Sequence, residues 1–199
     1  MTDLTHTIDD AAADQLFREA RTTYNWAPTE VPDAKLAEAW DLAKFGPTAM
    51  NCQPMRVRVV RTAEDKARLR PLAQGGNQDA IDRAPVQLIL NWDPKFYENL
   101  PTFFPAAAGF DQVLAGNAAM ASGMGTQSAN LQAAYLIIAL RAVGLAVGPM
   151  TGLDFPGINK EFFAEDGGKA FLVLNVGYAG EPANNFPRAP RLTWQEVTA

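Results

Sequence analysis

Apolar residues recur at helical spacing in several stretches and alternate in others. From Ile8 to Arg21 an apolar face carries Ile8, Ala12, Leu16, Phe17 and Ala20 and predicts an amphipathic helix. A second helix is predicted over Asp33 to Phe45, where Leu36, Ala39, Trp40 and Ala43 share a face. Pro32 sits near its first turn, and Gly46 and Pro47 stop it. RVRVVR, Arg56 to Arg61, alternates as a strand, whereas VQLILNW, Val86 to Trp92, reads as a more buried one after Pro85. Thr62 caps a further helix reaching Leu72. The longest apolar helical pattern, Ser128 to Val143, is placed at the centre of the molecule. A short run, Leu145 to Val147, follows it, and FLVLNVGY, Phe171 to Tyr178, predicts another strand. Asn91 to Gly125 reads as a long interruption rich in aromatics, Gly and Pro. Interleaved helices and strands of this kind fit an α+β, three-layer α/β/α fold in one domain, 1–199, with no repeat.

The stretch from Ala133 to Met150 is the most membrane-like, but Arg141 lies at its middle and Gly144, Gly148 and Pro149 break it. A central arginine alone costs about 2.5–3.5 kcal/mol on insertion scales, so the stretch reads as a buried helix, with no membrane partner. The first thirty residues are acidic and polar and lack an apolar signal core, which makes a cytoplasmic address the expectation.

Composition narrows the chemistry. One cysteine, Cys52, and one histidine, His6, among 199 residues cannot assemble a Cys/His zinc cluster or a disulfide, so no metal site is expected. Seventeen Lys and Arg against 22 Asp and Glu, a formal charge of −5, argue against a nucleic-acid partner. His6 reads as a tail residue and Cys52 as a small side chain in a loop.

Four turns or clusters can recognise a ligand. Gly46 to Pro54, GPTAMNCQP, combines residues that allow close backbone approach with the amides of Asn51 and Gln53. Arg21, in ARTTYNW, and Arg188 and Arg191, in FPRAPRL, carry guanidinium forks suited to a phosphate, with Thr22, Thr23 and Asn25 as neutral donors. GPMTGLD, Gly148 to Asp154, can present a backbone N–H, and Gly75 to Gln78 is a turn bearing the Asn77 amide. Taken singly, each is also an ordinary surface turn or a solvated charge.

Their order along the chain resembles the nitroreductase superfamily of FMN-dependent oxidoreductases, and within it the branch that includes malonic semialdehyde reductase. The resemblance runs from about Leu16 to Glu196. Its most specific stretches are Gly46 to Pro54, RTAEDKARLRP at Arg61 to Pro71, WDPKFYENLP at Trp92 to Pro101, LQAAYLIIALRAVGL at Leu131 to Leu145, GPMTGLD, and RAPRL at Arg188 to Leu192. The resemblance implies a mixed, mainly antiparallel sheet wrapped by helices, in an intertwined homodimer with two FMN sites at its interface. It implies that Arg21, Thr22, Thr23 and Asn25 meet the FMN phosphate and ribityl chain, and that Arg188 and Arg191 complete the phosphate site. Pro47, Thr48 and Asn51 would pack on the flavin of the partner subunit, Asn77 would bond the ring's pyrimidine edge, and the Thr151–Gly152 turn would face N5. Two features depart from the family pattern: Met55 follows Gln53-Pro54 where Trp is frequent, and Asn25 stands where many members carry a cation.

The activity implied is ping-pong hydride transfer from NADH or NADPH through flavin N5 to a small acceptor, with malonic semialdehyde, reduced to 3-hydroxypropionate, favoured by the branch. No catalytic side chain is required. Arg56 is a candidate for the acceptor's carboxylate, Tyr97 for its proton, and Trp92 to Phe110 for a lid. General nitroaromatic or quinone reduction, a non-catalytic flavin-binding protein, and an interaction module built on the apolar helix remain as alternatives. No G-x-G-x-x-G motif separates NADH from NADPH.

Overall fold

The computed structural model describes residues 7–184 and 186–198; His6 lies outside the described residues. The elements in chain order are α1 (Asp10–Ala13), which continues as a π-helical turn over Asp14–Arg18, α2 (Asp33–Ala43), β1 (Met55–Val60), α3 (Ala63–Leu69), α4 (Asn77–Arg83) and β2 (Val86–Trp92). They continue with α5 (Leu100–Phe103), α6 (Phe110–Ala115), α7 (Ala118–Ala142), β3 (Ala146–Met150), α8 (Phe155–Phe162), β4 (Lys169–Gly177) and α9 (Trp194–Val197).

The four strands form one sheet in the order β1-β2-β4-β3, and each pairing is antiparallel. β2 is buried at every position, the amides of Gln87 and Asn91 included, because helices cover both faces. Alternation along the central strands assigns those faces. Leu88 and Leu90 of β2 and Leu174 and Val176 of β4 pack with α2 and α7, while Ile89 and Val173 pack on the opposite face with Leu69, Ile81 and Ile158. The result is the expected three-layer α/β/α arrangement, with a core on each side of the sheet.

α7 begins ten residues before the apolar pattern that announced it. Its first half, AAMASGMGTQ, is rich in small residues, and at Gly125 the packing requires one: a Cβ there would stand 2.8 Å from Trp92 Cε3 and 3.0 Å from Phe96 Cε1. Asn117 caps it by accepting from Met120 N. The interruption read over Asn91 to Gly125 is therefore largely helical. Short helical turns there bury Phe96, Leu100 and Leu114 instead of presenting a loose lid.

The N-terminal helix stops at Arg18, short of Arg21, and Ile8 and Phe17 of its apolar face are more than half exposed. Beyond it the chain is extended, with Thr23 N donating to Val147 O at 3.1 Å along the outer edge of β3. That approach requires Gly148, where a Cβ would meet Thr23 O at 2.7 Å. Among the described residues no helix is long and apolar enough to cross a membrane, and no group of three or more His, Cys, Asp or Glu could hold a metal ion.

Candidate functional site

Because residues 20–25 run along β3, they meet the segment that follows β4. Tyr24 N donates to Ala183 O at 3.0 Å, and Asn184 clasps the two chain ends. Its Nδ2 donates to Thr22 O at 2.6 Å, and its Oδ1 accepts from Phe186 N at 2.7 Å and from Arg21 Nη2 at 3.4 Å. Arg21 also donates to Phe186 O at 2.6 Å, and Arg188 donates to Ala20 O at 3.3 Å. Arg21, Arg188 and Arg191 thus line one recess of about 270 Å3, together with Thr22, Tyr24 and Phe186.

The charge state of this recess is distinctive. Arg18, Arg56, Arg58, Arg61, Arg68 and Arg70 each pair with a carboxylate. Arg21, Arg188 and Arg191 have no carboxylate partner among the described residues and donate to neutral oxygens. Three guanidinium groups gathered without a counter-charge repel one another, and an entering phosphate dianion would relieve that repulsion with bidentate hydrogen bonds.

Tyr24 and Phe186, edge to face at 5.6 Å between ring centroids, also line a neighbouring recess of about 330 Å3 with Asn25, Gly76, Asn77 and Arg83. The two recesses are therefore contiguous. Asn77 opens α4, so the turn expected at Gly75 to Gln78 is a helix start. Its Nδ2 donates to Gly152 O at 3.0 Å, which fixes the Thr151–Gly152 turn, just past the end of β3, beside the Asn77 amide. Asn25 donates to Pro182 O at 2.7 Å. On the surface of these two recesses, Arg21, Thr22, Arg188 and Arg191 line the first and Asn25 and Asn77 the second, with Gly152 bonded to Asn77 and Thr23 and Thr151 next in the chain to Thr22 and Gly152. The guanidinium groups can bind an anion such as a phosphate, and the amides can hydrogen-bond a neighbouring polar group.

Pro47, Thr48 and Asn51 are not on that surface. They belong to a loop in which Met50, Asn51 and Gln53 all adopt left-handed backbone conformations, with φ of 51°, 50° and 42°. Such strain persists only where surrounding contacts determine it. Here Ala49 N donates to Ser128 Oγ at 3.3 Å, Gln53 N to Thr48 Oγ1 at 3.3 Å, Met55 N to Gln132 Oε1 at 3.0 Å, and Asn51 Nδ2 to Phe103 O at 3.0 Å. Burial pushes the Cys52 thiol of this loop up, against smaller effects of hydrogen bonds with Ser128 and Thr48; it is a packed, protonated side chain.

Arg56 is committed elsewhere. It pairs with Asp93 at 3.2 Å and donates to Gln53 O and Met55 O. Tyr97 packs edge-on against buried Phe96, 5.9 Å between ring centroids. Neither lines the groove between Arg21 and Asn77. Asn184, Ser128 and Gln132 are residues that sequence reasoning missed. The last two carried a signal: polar side chains four apart on one face of an otherwise apolar helix.

The nitroreductase family profile matches residues 17–178. The chain belongs to the nitroreductase family. A Streptomyces coelicolor protein with the provisional name NADH dehydrogenase/NAD(P)H nitroreductase is 46% identical over 96% of this chain and 94% of its own. A similarly named Leptothrix cholodnii protein is 42% identical over 98% and 99%. Among solved structures, a nitroreductase family protein from Streptococcus pneumoniae superimposes with a TM-score of 0.78 at 24% identity, covering 92% of this chain and 96% of that one. A structure from Exiguobacterium sibiricum, provisionally named a nitroreductase and solved in complex with FMN, gives 0.77 at 21% identity over 93% and 95%. The nitroreductase family is one of FMN-dependent oxidoreductases, so the enzyme class and the cofactors read from the sequence, FMN with NAD(P)H, stand with it.

Proposed function

We propose that this nitroreductase is a single-domain, homodimeric, FMN-dependent NAD(P)H oxidoreductase that works by a ping-pong cycle, with malonic semialdehyde as its acceptor and 3-hydroxypropionate as product. The observation that carries the cofactor reading is the recess where Arg21, Arg188 and Arg191 gather from both chain ends without a carboxylate. When bound, FMN supplies reversible hydride transfer at N5. Arg21, Arg188 and Arg191 would hold its phosphate, and Thr22, Thr23 and Asn25 the ribityl chain beside them. Asn77 would bond the pyrimidine edge, while the Thr151–Gly152 turn would offer a backbone N–H to the reacting edge of the ring. Donor and acceptor would use one open face in turn.

Pro47, Thr48 and Asn51 lie off this groove, which supports their serving the site of a second copy. Exposed Phe45, Leu42 and Tyr135 next to that loop support an apolar dimer seam. A cytoplasmic address suits an enzyme that draws on NAD(P)H.

A second acceptor reading, general nitroaromatic or quinone reduction, is favoured by the names its relatives carry. The engagement of Arg56 with Asp93 also favours it, since a carboxylate-bearing acceptor would need another cation. Two measurements test the proposal. The absorption spectrum of the purified protein should show flavin bands that bleach on anaerobic addition of NADH or NADPH; a colourless protein that takes up no FMN overturns it. Steady-state rates with malonic semialdehyde, nitroaromatics and quinones then decide the acceptor, and a strong preference for quinones would remove the aldehyde assignment.

A further inference from the structure

Behind Arg21 lies another recess, of about 340 Å3, that none of the residues assigned above explains except Arg21 and Thr23. Arg141, near the C-terminal end of α7, lines it together with Gln15, Glu19 and Asn184. Arg141 is partly buried, and its Nη1 donates to Leu16 O at 3.3 Å. Unlike the paired arginines elsewhere, it has no carboxylate partner among the described residues. Burial lowers its pKa, and no neighbouring carboxylate offsets that shift. An arginine does not shed its proton in a protein, so a positive charge is held here, partly out of water, at a standing cost.

Arg21 joins the two recesses, since it lines this one and also the one formed with Arg188 and Arg191. Two guanidinium groups therefore face a single space, with the exposed Glu19 as the one acid among the residues lining it. Glu19 is exposed and pairs with neither of them, so an anion entering the recess would relieve their repulsion, and two forks beside a threonine suit the oxygens of a phosphate. The position of Asn25 leaves room for such a contribution. This residue, which stands where many members carry a cation, directs its Nδ2 to Pro182 O.

We propose that Arg141 is a fourth cation of the phosphate site, reaching the phosphomonoester at Arg21 from the recess that these two arginines share. The assignment rests on the FMN reading, and it replaces the charge missing at Asn25 with one from α7, a buried element, instead of one from the N-terminal segment.

The test compares FMN with riboflavin, which lacks the phosphate, by fluorescence titration of apoprotein. Arg141→Gln keeps a donor for Leu16 O but removes the charge; it should weaken FMN about tenfold or more, as expected for loss of a charge-assisted contact, and leave riboflavin affinity within about twofold. Arg141→Lys should recover most of the FMN loss. Equal FMN affinity in wild type and Arg141→Gln overturns the assignment, as does an equal loss for both flavins. Should Arg141→Gln fail to fold, modification of wild-type Arg141 by phenylglyoxal, mapped by mass spectrometry, gives the answer: FMN and inorganic phosphate should protect it and riboflavin should not. Protection by neither FMN nor phosphate overturns the proposal. A wild-type protein that binds no FMN overturns the functional reading instead; protection by inorganic phosphate alone would then still support an anion site at Arg141.

Discussion

At Gly152 the space for a side chain is already taken, because an added Cβ would lie 2.6 Å from Asn77 Nδ2. The amide would have to move, and the bond from Asn77 to Gly152 O would be lost. Gly152→Ala should therefore weaken FMN binding by about fivefold, the worth of one partly buried hydrogen bond of about 1 kcal/mol. Asn77→Ala should do the same, and the double variant should lose no more than either single one, because both remove one contact; fluorescence titration of the three variants checks this. Cys52 gives a contrasting prediction. Burial favours its neutral thiol, so the native chain should resist a thiol reagent at pH 7 and react fully once unfolded in urea. A raised native pKa means that this group's contribution to stability is complete below the unfolded thiol value of about 8.5. That contribution is lost as pH rises toward the higher native value, and labelling of the native protein should climb over the same alkaline range.

Helices and strands differ in how openly the chain announces them. β2 and β4 were legible because a buried central strand is mostly apolar, with only single amides such as Gln87, Asn91 and Asn175 among its buried positions, and their observed ends lie within two residues of the pattern. Thr62 marked the start of α3 through the bond its Oγ1 accepts from Asp65 N. The first half of α7 was hidden for a physical reason: where the helix meets Trp92 and Phe96 its facing residue, Gly125, must be small, and a stretch rich in Gly, Ala and Ser carries little apolar periodicity. α4 was hidden by Gly75 and Gly76, whose turn signal masks the helix they introduce. α7 also carries the polar pair that fixes the strained loop. Gln132 is 1% exposed, and its Oε1 accepts from buried Met55 N. Gln132→Leu leaves that N–H without a partner and should cost about 1–3 kcal/mol, measured by urea denaturation. Asn51→Val should destabilise similarly, since a β-branched residue resists a φ of 50°, whereas Asn51→Gly should be tolerated.

For the whole molecule, the candidate site was legible as separate pieces but not as one surface. Arg21 and Arg188 stand far apart in sequence, and what joins them is Asn184, which no motif marked. The strand-edge pairing of residue 23 with β3 is likewise a tertiary fact, recorded in the sequence only as a glycine at position 148. One part of the expected site remains off the groove in a single chain: the loop holding Pro47, Thr48 and Asn51. Beside it Phe45 is 78% exposed and Tyr135 43% exposed, with Gly46 packed so closely on the Tyr135 ring that a Cβ would come within 2.8 Å of Cγ. Burying these side chains against a second copy would contribute about 1.5–3 kcal/mol for a fully covered large apolar residue. On the homodimer proposed above, the strained loop beside this patch would serve the neighbour's groove. Phe45→Glu should then shift the protein from dimer to monomer in light scattering and lower its FMN content in the same step, although residue 45 lies on neither recess lined by Arg21. Since Phe45 is exposed in the single chain, its replacement should leave the helical circular dichroism signal unchanged. A monomer that keeps its full FMN complement would show that one chain holds the whole site and that Pro47, Thr48 and Asn51 contribute nothing to a partner's flavin.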